Sequence, residues 1–289
     1  LFVSYQSNRY SLIGKFVWSV MVIFDTLNLD LSYWAPLLAI VAAGGIMRGF
    51  AGFGATMVMV PFLSLLMSPK EAVLLALSTD VLVMTPMFPK AAKKAEWKPV
   101  IPIVIGAFLG MPLGIWILVI ANPETMRIII SILVIGCACL LLSGWTYKRQ
   151  KTALLSFCVG MFSGASNGAS SIGGPPIAVY FISKGMPPIT LRASLNVVAF
   201  IMEGVAAIAI FFAGSFNIKN VASIIILFPF MLLFAWIGSV IFRFADNNLF
   251  NKSILYFLII FGGYILISSY PNIAISHMDF KEPLTEQLL

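Results

Sequence analysis

Long unbroken apolar runs, not alternation, organise this chain. Ile101–Ala121 and Ile128–Leu142 contain no charged residue. A barrel strand needs a polar residue at every second position for its lumen face. These runs have no such period, and they are long enough to cross a hydrocarbon core of ~30 Å as helices. The pattern predicts helices over Trp34–Met47, Ala55–Met67, Glu71–Phe88, Val100–Ala121 and Thr125–Trp145. It predicts a second set over Thr152–Ser163, Pro176–Ser183, Ile189–Gly214, Val221–Phe244 and Ser253–Tyr270. Leu12–Phe24 is a further apolar stretch that carries Lys15 and is short for a span, so it is an extra helix or an interfacial one. The fold class expected is an all-α polytopic membrane protein of roughly ten transmembrane or half-spanning helices.

The order of elements recurs. Residues 31–147 form one half and 148–271 the other, between an N-terminal apolar segment at 1–30 and a polar tail at 272–289. Each half holds a helix pair plus three spans. An odd number of crossings turns the second copy upside down, which is an inverted repeat. Each pair encloses a glycine-rich run. The first is Gly49-Phe-Ala-Gly52-Phe-Gly54-Ala-Thr56, leading to Pro61. The second is Gly164-Ala-Ser-Asn167-Gly168-Ala-Ser170-Ser171-Ile-Gly173-Gly174-Pro175-Pro176. The separation of Gly49 from Pro61 equals that of Gly164 from Pro176. Ser78-Thr79-Asp80 and Ser194-Leu195-Asn196 follow at a similar interval. In this register Arg48 falls opposite Ser163, and Asp80 opposite Asn196. Paired broken helices in matching positions point to a transport site at the bilayer midplane.

Composition strengthens the membrane reading. Hydrophobic residues make up 60% of the chain and charged residues 10%, against about 25% charged in soluble domains. The net charge of +7 does not imply nucleic acid, because the basic residues sit in short connections. Lys90, Lys93, Lys94 and Lys98, then Lys148, Arg149 and Lys151, then Lys184, then Arg243 and Lys252 all fall on one face, expected to be cytoplasmic. The other face holds Lys70 and Lys219, with Arg127 just inside a helix. Cys137, Cys139 and Cys158 read as small buried apolar residues. Gly106, Gly110 and Gly114, like Gly160, Gly164 and Gly168, recur at helical spacing and predict close helix crossings.

Pro176–Ser183 is too short to span, so a helix begins or ends inside the membrane. Free N–H groups and the positive dipole end at such a start make an anion site. Asn167, Gly168, Ser170, Ser171, Gly173 and Gly174 supply it in one copy, and Gly52, Phe53, Gly54 and Thr56 in the other. Two opposed helix starts would clasp a small anion between them, and Asn196 adds an amide nearby. Arg48 suits an oxyanion through its guanidinium fork, or it snorkels to an interface. Asp80 and Glu203 inside the membrane can carry a coupling proton or bind a cation. Alternatively, Asp80 pairs with Arg48, and Glu203 is neutral and hydrogen-bonded. His277 is the single histidine, no metal-ligand spacing is present, and no cofactor is implied. An enzyme is therefore not expected. The partners expected are a small anion, a coupling proton or cation, and the bilayer.

At these glycine, proline and hydroxyl residues the chain resembles the TauE/SafE family of membrane transporters, the sulfite exporters. The duplicated segments Gly49–Pro61 with Ser78-Thr79, and Gly164–Pro176 with Ser194, carry the resemblance over roughly Trp34 to Tyr270. It implies export of sulfite or related organosulfur anions across the cytoplasmic membrane. The first copy has fewer consecutive glycines than the family pattern, and Phe50 and Phe53 add apolar bulk suited to a larger sulfonate or carboxylate. An anion channel of the same architecture, or an uptake permease for carboxylates or sulfonates, is the alternative reading.

Overall fold

The structure, a computed structural model, describes residues 31–145, 152–212 and 218–241, with isolated positions beyond. Leu12–Phe24, residues 272–289, nearly all of Ser253–Tyr270, Lys148, Arg149, Lys151, Arg243, Lys252 and the side chain of Lys219 lie outside the described residues. Contacts divide the chain after Ala39. The first unit contributes the opening turns of the first helix, and the packing below belongs to Ile40–Leu289.

The described residues form ten helices and no strand. They are α1 (Leu31–Ala51), α2 (Ala55–Leu66), α3 (Pro69–Met84), α4 (Phe88–Ala92) and α5 (Trp97–Ile120). Then come α6 (Pro123–Leu142), α7 (Ala153–Ser170), α8 (Gly174–Ser183), α9 (Pro188–Phe212) and α10 (Ile218–Ile241). Five are long and apolar enough to cross a membrane, within α1, α5, α6, α9 and α10. α5 shows why lipid is the solvent. Ile101, Ile105, Leu109, Leu113 and Trp116 are exposed on one side, while Ile103, Ala107 and Met111 are buried on the other. Water would not tolerate so wide an apolar face. Local chemistry sets the ends of several helices. Ser68 and Glu71 make a capping box at α3, Asn122 accepts from the Thr125 N–H at α6, and Thr152 accepts from the Leu155 N–H at α7.

Glycine stripes decide which helices touch. A Cβ at Gly106, Gly110 or Gly114 of α5 would overlap the backbone oxygen of Phe157, Met161 or Ala165 of α7. The stripe Gly160, Gly164 and Gly168 of α7 meets the backbone of Ile103, Ala107 and Met111 in return. α1 and α10 repeat the device, with Gly45 and Gly49 against Met231 and Ala235, and Gly238 against Ile46. Each half thus lends a long helix to the other half's broken pair.

Both broken pairs are hairpins. Gly44 of α1 closes on Met59 and Ala55 of α2, and Ser156 of α7 bonds the Tyr180 hydroxyl of α8 at 2.6 Å. From their tips the short arms lead to opposite ends. α2 ends beside the start of α6, where the Arg127 Nε donates to the Ser64 carbonyl at 2.9 Å. Lys70 reaches the Val119 carbonyl at that same end. α8 ends beside the start of α5, where Lys184 pairs with Glu96. The Glu96 N–H also donates to the Ser194 hydroxyl at 3.0 Å.

Three expectations change. The glycine runs are largely helical, and the chain breaks only at Gly52–Gly54 and Ser171–Gly173, because the neighbouring glycines serve helix packing. Pro61 lies within α2, whereas Pro175 lies in the first turn of α8, so the equal glycine–proline separation has no structural meaning. Aligning the two segments on their breaks instead shifts the register by about one helical turn. Gly52 and Ser171 both adopt left-handed backbone, φ 79° and 61°. Their N–H groups close on Arg48 and Asn167 at 3.0 and 2.7 Å. Arg48 therefore corresponds to Asn167, not Ser163. With α3 and α9 both starting on proline, Asp80 corresponds to Ala199, not Asn196. Finally, only Cys137 is buried; Cys139 and Cys158 are exposed, on helix surfaces that an apolar solvent covers.

Candidate functional site

The two hairpin tips meet. The Thr56 hydroxyl of α2 donates to the Ser171 carbonyl at the second break, at 2.7 Å. Around this contact lies a cavity of about 20 Å³, small beside the roughly 300–1,000 Å³ of pockets for drug-sized ligands. Arg48 closes it from the end of α1, Phe53, Gly54, Thr56 and Met57 from the first break and α2, and Asn167 from α7. Ser171, Gly173, Gly174 and Ile177 come from the second break and α8, and Val198, Met202 and Glu203 from α9.

Two helix starts face it, and neither has a side-chain cap. Gly54 and Gly173 stand at the N-cap positions of α2 and α8. Away from the cavity, α3, α6 and α7 are capped by Ser68, Asn122 and Thr152, while α4 and α5 start without a side-chain cap. Uncapped starts leave backbone donors for a ligand. The starts are not equal. α2 begins Ala55-Thr56-Met57 with every N–H present, whereas Pro175 and Pro176 remove two from the first turn of α8.

Arg48 is fully buried at 0% exposure, and its donors are almost all engaged. Nε donates to Asp80 Oδ1 at 2.7 Å and Nη2 to Asp80 Oδ2. Nη1 reaches the Gly52 carbonyl at 3.2 Å, and Nη2 lies 3.5 Å from Glu203 Oε1. A bidentate fork of this kind is strong and directional. Snorkelling is thereby excluded for Arg48, and its pairing with Asp80 is the arrangement present. Three buried side-chain atoms on the cavity wall have no partner among the described residues: Asn167 Nδ2, Ser171 Oγ and Glu203 Oε2. Unpartnered buried polar atoms in a native fold call for a ligand or an ordered water.

Of the residues singled out from the sequence, Arg48, Phe53, Gly54, Thr56, Asn167, Ser171, Gly173, Gly174 and Glu203 line the cavity. Five do not. Gly52 offers its carbonyl to Arg48 behind the wall. Asp80 holds Arg48 from the same side. Gly168 packs on the α5 backbone at Met111. The Ser170 hydroxyl turns back to the Ser166 carbonyl at 2.9 Å, and Asn196 donates to the Arg192 carbonyl at 2.9 Å. The apolar wall from α9 is an addition. Leu195, Val198, Ala199 and Met202 recur at helical spacing beside Glu203, which is the signal that finds them. Arg192, one turn into the same helix and outside the cavity lining, donates to the Gly49 carbonyl beside the first break at 3.1 Å. Among the described residues no group of three His, Cys, Asp or Glu is placed to hold a metal ion.

The model of one protein family, described as Sulfite exporter TauE/SafE, matches residues 37–265. No curated protein and no solved structure matches the chain.

Proposed function

The chain belongs to the TauE/SafE sulfite exporter family and is a multi-pass membrane transporter of the sulfite/anion-exporter type, within which we propose that it is a secondary carrier moving sulfite, or a sulfur oxyanion of similar size, outward across the cytoplasmic membrane. One observation carries this reading: two uncapped helix starts meet at a small cavity whose wall also holds unpartnered donors on Asn167 and Ser171. Donors without acceptors, beside a buried guanidinium, suit an oxyanion. The size of the cavity favours an ion of few atoms over an extended sulfonate, and Phe53, Met57 and Met202 shape its apolar side.

The binding set is Arg48, Phe53, Gly54, Thr56, Asn167, Ser171, Gly173 and Gly174, with Gly52, Gly168, Ser170 and Asn196 supporting it from behind. Residues 31–147 and 148–271 act as inverted repeats. Support comes from short hairpin arms that lead to opposite ends, and from left-handed residues at equivalent breaks. Alternating access follows from one hairpin moving against the other about their contact. The end bearing Lys90, Lys93, Lys94 and Lys184 faces the cytoplasm. Coupling belongs to the carboxylates around Arg48.

The test is thermal stabilisation of the purified protein by sulfite, sulfate, thiosulfate, taurine, short carboxylates and chloride, since a ligand of the native state raises its apparent stability. Sulfite or a near relative should shift the transition selectively. Asn167→Ala or Ser171→Ala should lose most of that shift while leaving the ligand-free transition within a few degrees. A shift with carboxylates alone would sink the substrate assignment.

A further inference from the structure

The charges at the cavity do not balance, and the imbalance has a sign. Arg48 contributes one positive charge, and Asp80 and Glu203 contribute two negative ones when both are ionised. The two carboxylates are held differently. Asp80 grips the guanidinium with both oxygens and is fully buried behind it. Glu203 touches it with one oxygen at 3.5 Å, and its Oε2 lies on the cavity wall without a partner. Among the described residues one other charge lies near: Arg192 of α9 sits against Gly52 and donates to the Gly49 carbonyl at 3.1 Å, outside the cavity lining. α2, α7 and α8 present only Thr56, Asn167, Ser171 and apolar or glycine residues to the cavity. α4 and α5, which also pack on α9, carry their lysines and Glu96 at the bundle end, where Glu96 pairs with Lys184. α10 has no charged residue from Val221 to Ile241.

We propose that Glu203 is a proton site linked to the anion: the cavity takes an anion together with one proton on Glu203, while Asp80 stays ionised as the permanent counter-ion of Arg48. The inference rests on the anion-site reading above and specifies its coupling. With Glu203 ionised, the trio is net negative, and a second anion placed beside it in a poorly screened site is repelled. A proton on Oε2 makes the trio neutral, relaxes the claim of Glu203 on Nη2 and adds an O–H donor to the cavity wall. Proton and anion therefore help each other to bind, and linkage makes that help reciprocal. They move in the same direction, the proton arriving from water on one side and leaving to water on the other. Export remains compatible, because a dianion with one proton keeps a net negative charge that an inside-negative potential drives outward.

The experiment is titration calorimetry of the purified protein with sulfite, repeated in buffers of different ionisation heat, which counts the protons taken up per anion bound. Sulfite titrates near neutrality itself, so Glu203→Gln is measured alongside and the difference isolates the proton of the carboxylate. The wild type should take up about one proton more than the variant, and its affinity should fall about tenfold per pH unit over the range where Glu203 ionises. Equal proton counts, or proton release on binding, would overturn the inference. Should Glu203→Gln fail to fold, sulfate supplies a second readout. It does not titrate near neutrality, so proton uptake by the wild type with sulfate supports the linkage, and binding without uptake refutes it. Failure of both anions to bind would instead remove the anion site itself. In proteoliposomes, inward flux of sulfate, which carries no proton of its own near neutrality, should acidify the lumen; sulfate entry without acidification would also overturn the linkage.

Discussion

Arg48 and Asp80 show how a single side chain takes its meaning from its partner. The sequence offers Arg48 as an anion ligand, and on that basis Arg48→Ala would weaken binding more than folding. Its bidentate bond to a fully buried Asp80 changes the expectation. Removing one member of a buried pair leaves an uncompensated charge, at a cost of about 3–5 kcal/mol. Asp80→Ala should therefore lower thermal stability or yield sharply. The double variant Asp80→Ala with Arg48→Met should regain much of the loss, as followed by size-exclusion profile and melting temperature. Equal stability of Asp80→Ala and wild type would show that the pair is not held together in the membrane. The pairing was foreseeable as an alternative, because a membrane-buried arginine needs a carboxylate. Asp80 was named for that role; the approach of Glu203 to within 3.5 Å from another helix was not foreseen.

At the scale of elements, glycine does two jobs that sequence alone does not separate. Gly54 and Gly173 end or begin helices, whereas Gly106, Gly110, Gly114, Gly160, Gly164 and Gly168 stay helical and admit a neighbouring backbone. The stripes were legible from their spacing. The helices that lead into the breaks run further than predicted, to Ala51 and Ser170, because a glycine-rich run continues as a helix wherever a partner backbone rewards it. Even an alanine at Gly110 would overlap the backbone of α7 at Met161, so Gly110→Leu should abolish the folded, monodisperse protein. Gly136→Ala adds a Cβ that meets nothing within 4 Å. It should leave stability within about 1 kcal/mol of wild type, at or above it, since alanine is the better helix former. Comparable melting temperatures for the two variants would contradict the packing described.

For the molecule as a whole, the class was readable because long apolar runs leave few architectures in lipid. The crossing of the halves was not readable. α5 packs on α7 and α1 on α10, and no local pattern states which stripe meets which. The separation of basic residues gives a global test. Lys90, Lys93, Lys94 and Lys184 gather at the end where α5 starts, and Lys70 at the other. Cysteines placed at Lys93 and Lys70, in a background freed of Cys137, Cys139 and Cys158, should react with a membrane-impermeant maleimide from opposite sides. Labelling in intact cells should reach the Lys70 position and spare the Lys93 position. Labelling of both from one side would dismantle the inverted arrangement.

The two prolines at the start of α8 have one more consequence. They take two backbone donors from that hairpin, leaving it the Asn167 and Ser171 side chains, while the guanidinium and the complete set of N–H groups at the start of α2 belong to its opposite number. In the carrier proposed above, the backbone grip on an ion would be lopsided. When the halves part, the ion would stay as cargo with α1–α2, and α7–α8 would be the door that swings away from it.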